Sequence, residues 1–146
     1  MSRFAIIASR FNSLIVKQLV EGAEQALLQH EIPLSNIDTF WVPGALEISI
    51  TAQRAARTRK YDALICLGAV IKGYTDHYEH VSREVHSGVS RVSLDASLPI
   101  TMGVLTVENM AQALERAGGT CGNIGSNAAL AALDTLKTLS QLESNQ

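Results

Sequence analysis

Cysteine is scarce in this sequence: there are two, Cys66 in an apolar run and Cys121 in a glycine-rich stretch. Two thiols so placed exclude a disulfide-stapled scaffold and read as the reduced thiols of a cytoplasmic protein. Charge of one sign is lacking as well. Twelve Lys+Arg against fourteen Asp+Glu leave a net charge of -2, with no basic cluster to attract nucleic acid or an anionic membrane. No apolar run approaches the ~20 residues that cross a bilayer. The run Phe4 to Ala8 falls short of the ~7–15 apolar residues of a secretory signal. Linkers, internal repeats and low-complexity segments are missing too. Residues 1–146 therefore read as one soluble, cytoplasmic domain.

What is present is apolar. Hydrophobic residues make up 47% of the chain, enough for a substantial core. Charged residues make up 18%, below the usual ~25%. The Ala-rich chain leaves apolar surface over, which predicts a homo-oligomer.

Hydrophobic spacing alternates between two patterns. Arg3 to Ala8, Ile37 to Val42, Tyr61 to Ile71 and Pro99 to Thr106 are apolar or β-branched runs and read as strands. The third is apolar on both faces, as a buried parallel strand requires. Between them, Ser13 to His30, Ala45 to Arg57 and Asp76 to Asp95 have helical spacing, the last with Thr75 or Asp76 as N-cap. A helix from Thr106 or Glu108 is expected to end at Gly118-Gly119 in C-cap fashion. Asn123 to Leu139 is expected to be a final helix, followed by a frayed polar tail, Ser140 to Gln146. The order βαβαβαβαα predicts an α/β fold: a four-stranded parallel sheet covered by helices on both faces.

In such sheets ligands bind beyond the carboxyl ends of the strands, which directs attention to four loops. The first holds Arg10-Phe11-Asn12, where Phe11 either stacks on a planar ring or packs under its own helix, and Asn12 can bond ring edges. The second is Val42 to Glu47. Pro43-Gly44 forces a turn, leaving free N–H groups at the start of a helix; Glu47 there is either a helix-dipole partner or an acceptor for substrate hydroxyls. The third, Gly73 to His77, puts a histidine at a helix start, where it is either an ordinary surface side chain or a neutral imidazole ready to accept a proton. His77 and His80 have metal-ligand spacing, but no Cys or carboxylate cluster completes a site. The fourth holds Arg116, either a cation at a helix C-terminus or a fork-shaped phosphate clamp. The glycine-rich loop that follows contains no lysine and follows no strand, which excludes a nucleoside triphosphatase or a dinucleotide enzyme.

Taken in order, these segments resemble lumazine synthases. The matching stretches are Arg10-Phe11-Asn12, Val42 to Glu47 (VPGALE), Leu67 to Ile71 (LGAVI), Gly73 to Val81 (GYTDHYEHV), Pro99 to Thr106 (PITMGVLT), Glu115 to Gly118 (ERAG) and Gly122-Asn123. The resemblance implies a flavodoxin-like three-layer fold and an active site shared between neighbouring subunits of a homopentamer, itself able to build a shell. It implies two substrates of riboflavin biosynthesis, 5-amino-6-(D-ribitylamino)uracil and 3,4-dihydroxy-2-butanone 4-phosphate, with no metal or cofactor. By position, Phe11 would stack on the pyrimidine, with Asn12 beside it. Ala45, Leu46 and Glu47 would hold the ribityl chain. Ala69, Val70 and Ile71 would present backbone groups to the pyrimidine edge. Tyr74 and Thr75 would line the phosphate end, Arg116 would bind the phosphate, and His77 would transfer protons. Met102 stands where members commonly place an aromatic from the neighbouring subunit, and Thr120 and Ile124 where they commonly carry lysines. The alternative reading is a flavin- or lumazine-binding shell protein without turnover.

Overall fold

The computed structural model of the protein describes residues 2–74 and 77–144. The sheet is built from β1 (Phe4–Ser9), β2 (Ile37–Val42), β3 (Ala63–Ile71) and β4 (Ile100–Val107), all parallel and in the order β2-β1-β3-β4. Every residue of β1 and β3 is buried, which is why both read as unbroken apolar runs rather than alternating ones. The helices are α1 (Ser13–Gln29), α2 (Ile48–Arg57), α3 (Tyr78–Ala96), α4 (Met110–Arg116) and α5 (Ile124–Ser144). A short antiparallel pair, β5 (Ala117–Gly119) and β6 (Gly122–Asn123), joins the last two.

Two apolar clusters cover the two faces of the sheet. On one, Phe4, Ile6, Ile65, Leu67 and Ile71 meet α1, α4 and α5. On the other, Ile7, Leu64, Cys66, Val70 and Val104 meet α2 and α3. This is the expected three-layer α/β arrangement. The buried stripe of α1, Ile15-Val16, Leu19-Val20, Ala23 and Ala26-Leu27, has the 3–4 residue spacing that turns one helical face to a core. Its partner α5 buries only small residues, Gly125, Ala128, Ala129 and Ala132. The two helices approach so closely that a Cβ at Gly125 would run into the backbone of Leu19. Among the described residues no helix is long and apolar enough to cross a membrane.

Several expected boundaries change. Ala45 to Arg57 is not one helix: Ala45–Glu47 is a single 3-10 turn that leads into α2. Gly118-Gly119 does not cap α4. The chain turns straight into the β5–β6 hairpin, with Gly118 at φ 109° and Gly122 at φ 79°, and the Cys121 N–H donates to the Glu115 carbonyl at 2.8 Å. Helix ends and tight hairpins both recruit glycine for positive φ, so the residue type alone does not separate them. The tail is not frayed before Ser144, because Ser140-Gln141-Leu142-Glu143 contains no breaker and simply prolongs α5. The cap expected at Thr75 or Asp76 lies outside the described residues; His77 itself occupies the N-cap position of α3.

Candidate active site

The strand order reverses direction between β1 and β3: the crossover after β1 leads to one edge of the sheet, that after β3 to the other. A crevice must open there, outside the carboxyl ends of the strands, because the two connections diverge. A cavity of about 230 Å³ occupies the crevice, lined by Phe11, Gly44, Ala45, Leu46, Glu47, Ala69, Val70 and Val81. Six of the residues singled out in the sequence therefore meet in one place within a single chain.

The segment after β1 is pinned at three points. The Arg10 N–H donates to the Val42 carbonyl at 2.7 Å, and the Phe11 N–H to the Pro43 carbonyl at 3.1 Å. Asn12 adopts the left-handed conformation, φ 63° and ψ 44°, as the N-cap of α1, a conformation asparagine tolerates better than most residues. Its Nδ2 donates to the Ala69 carbonyl at 3.1 Å. The clamp ties the end of β1 to the end of β3 and leaves the ring of Phe11 50% exposed at the cavity mouth. Asn12 thus fixes the site's backbone and occupies one of the acceptors expected to face a substrate.

The loop after β2 supplies the opposite wall. Gly44 is extended, and the Glu47 N–H donates to the Gly44 carbonyl at 3.2 Å, closing the 3-10 turn. The turn folds the Glu47 carboxylate back: a Cβ on Gly44 would lie 3.2 Å from Glu47 Oε1. Thr51 Oγ1 donates to the Glu47 carbonyl at 2.9 Å and holds the turn against α2. A carboxylate facing a small, mostly apolar cavity is suited to accept bonds from several hydroxyls.

On β3, side chains alternate across the sheet. Val70 points toward the α2–α3 face and Ala69 and Ile71 toward the other. Ile71 is fully buried and is not part of the cavity wall. Val81 was not singled out in the sequence. It lies one helical turn after His77, its N–H donating to the His77 carbonyl at 2.8 Å, and this i to i+4 spacing from the candidate histidine is the signal that finds it. His77 itself is exposed at the head of α3, one turn above the cavity. Thr75 and the side chain of Tyr74 lie outside the described residues.

Besides Asn12, Ile71 and His77, two more expected site residues do not line this cavity, Arg116 and Met102. Arg116 closes α4, its Nη1 donating to the Gln112 carbonyl at 3.0 Å and lying 3.9 Å from Glu115 Oε2. Met102 pairs in register with Cys66, whereas the cavity residue Val70 pairs with Thr106. Four residues of strand put Met102 about 13 Å toward the amino end of the sheet. Of the two lysine-replacing positions, Thr120 is exposed in the hairpin turn and Ile124 packs against the α1–α5 core.

No thiolate serves this cavity. Cys66 is fully buried, and burial pushes its thiol up to about 12, so it remains protonated and inert. Cys121 is exposed in the hairpin turn. The chemistry on offer is that of an aromatic face, a carboxylate, backbone groups and an imidazole.

Residues 1–140 match the sequence family described as 6,7-dimethyl-8-ribityllumazine synthase. A protein of Leuconostoc mesenteroides named 6,7-dimethyl-8-ribityllumazine synthase is 49% identical over 142 residues, which are 97% of this chain and 91% of that protein. The matched range spans the cavity loops as well as the core, and the chain belongs to the 6,7-dimethyl-8-ribityllumazine synthase family.

Proposed function

We propose that the protein condenses 5-amino-6-(D-ribitylamino)uracil with 3,4-dihydroxy-2-butanone 4-phosphate to 6,7-dimethyl-8-ribityllumazine, a step of riboflavin biosynthesis in the cytoplasm. The observation that carries this reading is the cavity at the β1–β3 crevice, which gathers Phe11, Glu47 and the β3 backbone one helical turn from His77. Phe11 stacks on the pyrimidine and Glu47 accepts the ribityl hydroxyls. Ala45 and Leu46 flank the ribityl chain. The amine of the pyrimidine attacks the ketone and water leaves, giving an imine; the phosphate is then eliminated, and the second nitrogen closes the ring with loss of a second water. Both reactants are intrinsically reactive, so holding them together supplies most of the rate. His77 moves protons between the condensing groups, and Arg116 stabilises the departing phosphate, with Tyr74 and Thr75 at the same end.

The site is completed by a second copy of the chain. A cavity of about 230 Å³ is below the ~300 Å³ at which enclosing ligand pockets usually begin. Its rim residues Phe11 and Leu46 are half-exposed, as is Ile50 in the first turn of α2, and exposed apolar groups of this size favour a partner surface. A neighbouring subunit of a homopentamer supplies Met102 and Arg116, which stand apart from the cavity of their own chain. The rival, a flavin-binding shell protein without turnover, is not favoured, since it leaves the imidazole and guanidinium without a task.

Replacing His77 tests the reading. His77→Ala should slow turnover by about 10²-fold, the low end of general acid–base catalysis, with pyrimidine binding nearly unchanged. Equal loss of both would contradict the proton-transfer role. A monomeric mass in solution would contradict the shared site.

A further inference from the structure

The head of α3 is held to the body of the protein at few points. The buried residues of this helix begin at Val85 and continue with Val89 and Val92. Before Val85 it offers only half-buried side chains, Tyr78, Val81 and Ser82, and His77 itself is exposed. A helix end without a buried anchor opens readily unless something ties it down. The tie is Ser82, whose Oγ shares a hydrogen bond of 2.8 Å with Thr106 Oγ1 of β4. Among the described residues, this is the only side-chain hydrogen bond that leaves the first two turns of α3 for another element. The bonds of Tyr78 to Glu79 and of His86 to the Ser82 carbonyl stay within the helix.

The bond lands beside the cavity. Thr106 pairs in register with Val70 of β3. Val70 lines the cavity, and so does Val81, the residue before Ser82. The Val81 N–H in turn donates to the His77 carbonyl at 2.8 Å. Two adjacent residues, Val81 and Ser82, therefore connect His77 to the β3–β4 pair. The bond is exposed, so water replaces it at small cost and it adds little to the stability of the fold. What it contributes is placement. A group that moves protons must stay within hydrogen-bond reach of its target, and a misplacement of ~1 Å can cost about 10²-fold in rate.

We propose that Ser82 and Thr106 are positioning residues: their shared hydrogen bond fixes the head of α3 against the β3–β4 pair and so holds His77 in place for proton transfer. The proposal rests on the synthase reading above for the role of His77, and on the Ser82–Thr106 geometry for the restraint. Neither residue lines the cavity. Phe11 and Glu47 stand on the connections after β1 and β2, which the bond does not reach, so its loss falls on turnover rather than on pyrimidine binding.

Steady-state kinetics, urea unfolding and amide hydrogen exchange provide the test. Ser82→Ala and Thr106→Val should each lower kcat by about threefold to tenfold, the range spanned by the net worth of one hydrogen bond, with KM for the pyrimidine unchanged. The double variant should be no slower than the slower single one, since either change removes the same bond. Thr106→Ser keeps the hydroxyl and should keep the parent kcat. Urea midpoints should stay near that of the parent. Exchange of the Val81 amide should quicken by about threefold to tenfold in Ser82→Ala and Thr106→Val, while the amides of Val89 and Val92 exchange as in the parent. An unchanged kcat in both single variants, additive losses in the double variant, or a fall in kcat matched by a lowered urea midpoint would overturn the assignment. If the parent protein shows no turnover, the synthase reading fails by itself. Exchange at Val81 then decides on the restraint: equal rates in parent and variants refute it, faster exchange in both single variants supports it.

Discussion

Gly68→Ala asks whether the ends of β1 and β3 meet as tightly as the cavity geometry demands. A Cβ at Gly68 would lie 2.8 Å from Ser9 Oγ and 3.5 Å from Ile48 Cδ1. The first approach is well inside van der Waals contact and the second is ordinary. Ser9 is fully buried, and its hydroxyl has no hydrogen-bond partner among the described residues. Forcing a methyl group into such a site costs about 1–3 kcal/mol, partly offset by the smaller backbone entropy of alanine. Gly68→Ala alone should therefore destabilise by about 1–2 kcal/mol. Ser9→Ala removes a hydroxyl buried without compensation, so it should leave stability unchanged or raise it by about 1 kcal/mol. In the double variant the clashing oxygen is gone, and the new Cβ meets only Ile48 Cδ1 at 3.5 Å and the residue-9 Cβ at 3.7 Å. The pair should then be near parental stability, with a coupling energy of about 1–2 kcal/mol. Urea unfolding of the four proteins, followed by circular dichroism at fixed protein concentration, measures it. Phe11 and Asn12 follow directly on Ser9, so Gly68→Ala alone should also raise KM for the pyrimidine, and Ser9→Ala should restore it. Strictly additive stabilities would refute the close approach.

Other consequences are open to simpler measurements. Glu47→Gln keeps the shape of the side chain and loses its charge, so KM for the ribitylated pyrimidine should rise about tenfold, the difference between a charged and a neutral acceptor, while KM for the phosphorylated ketone is unaffected; the reverse pattern would place the carboxylate wrongly. In thiol titration of the native protein Cys66 should stay unmodified until denaturant is added, since it is fully buried and its thiol is pushed up to about 12; modification of both thiols under native conditions would contradict this. The Tyr61 phenol is pushed up to about 12, first by burial and then by the hydrogen bond it donates to Asp38 at 2.7 Å. A raised value means the fold favours the protonated phenol, so its contribution is whole below the unfolded value of about 10 and fades as pH climbs toward 12. Tyr61→Phe should lose about 0.5–1 kcal/mol at neutral pH and show a flatter alkaline decline in stability, and a parallel decline in both proteins would contradict the coupling.

Much of this was legible in the sequence, for identifiable reasons. The run Ala63 to Ile71 is apolar without alternation, as a strand covered on both faces requires. Once the strands were placed, the rule that ligands sit beyond their carboxyl ends selected the loops carrying Phe11 and Glu47, and both line the cavity. What stayed hidden was geometry that residue type does not encode. Gly118 and Gly122 adopt positive φ, but hairpin and helix cap share that need. Asn12 is a hydrogen-bonding residue by type, but that its amide ties the end of β1 to the Ala69 carbonyl is not encoded in the type. The separation of Met102 and Arg116 from the cavity depends on strand register and on which face carries α4, neither of which local pattern fixes.

The most direct measurement mixes the purified protein with 5-amino-6-(D-ribitylamino)uracil and 3,4-dihydroxy-2-butanone 4-phosphate and follows lumazine fluorescence together with released phosphate. The expected result is product formation far above the protein-free mixture, with one phosphate released per lumazine. A folded protein that leaves the rate at the spontaneous level would contradict the assignment.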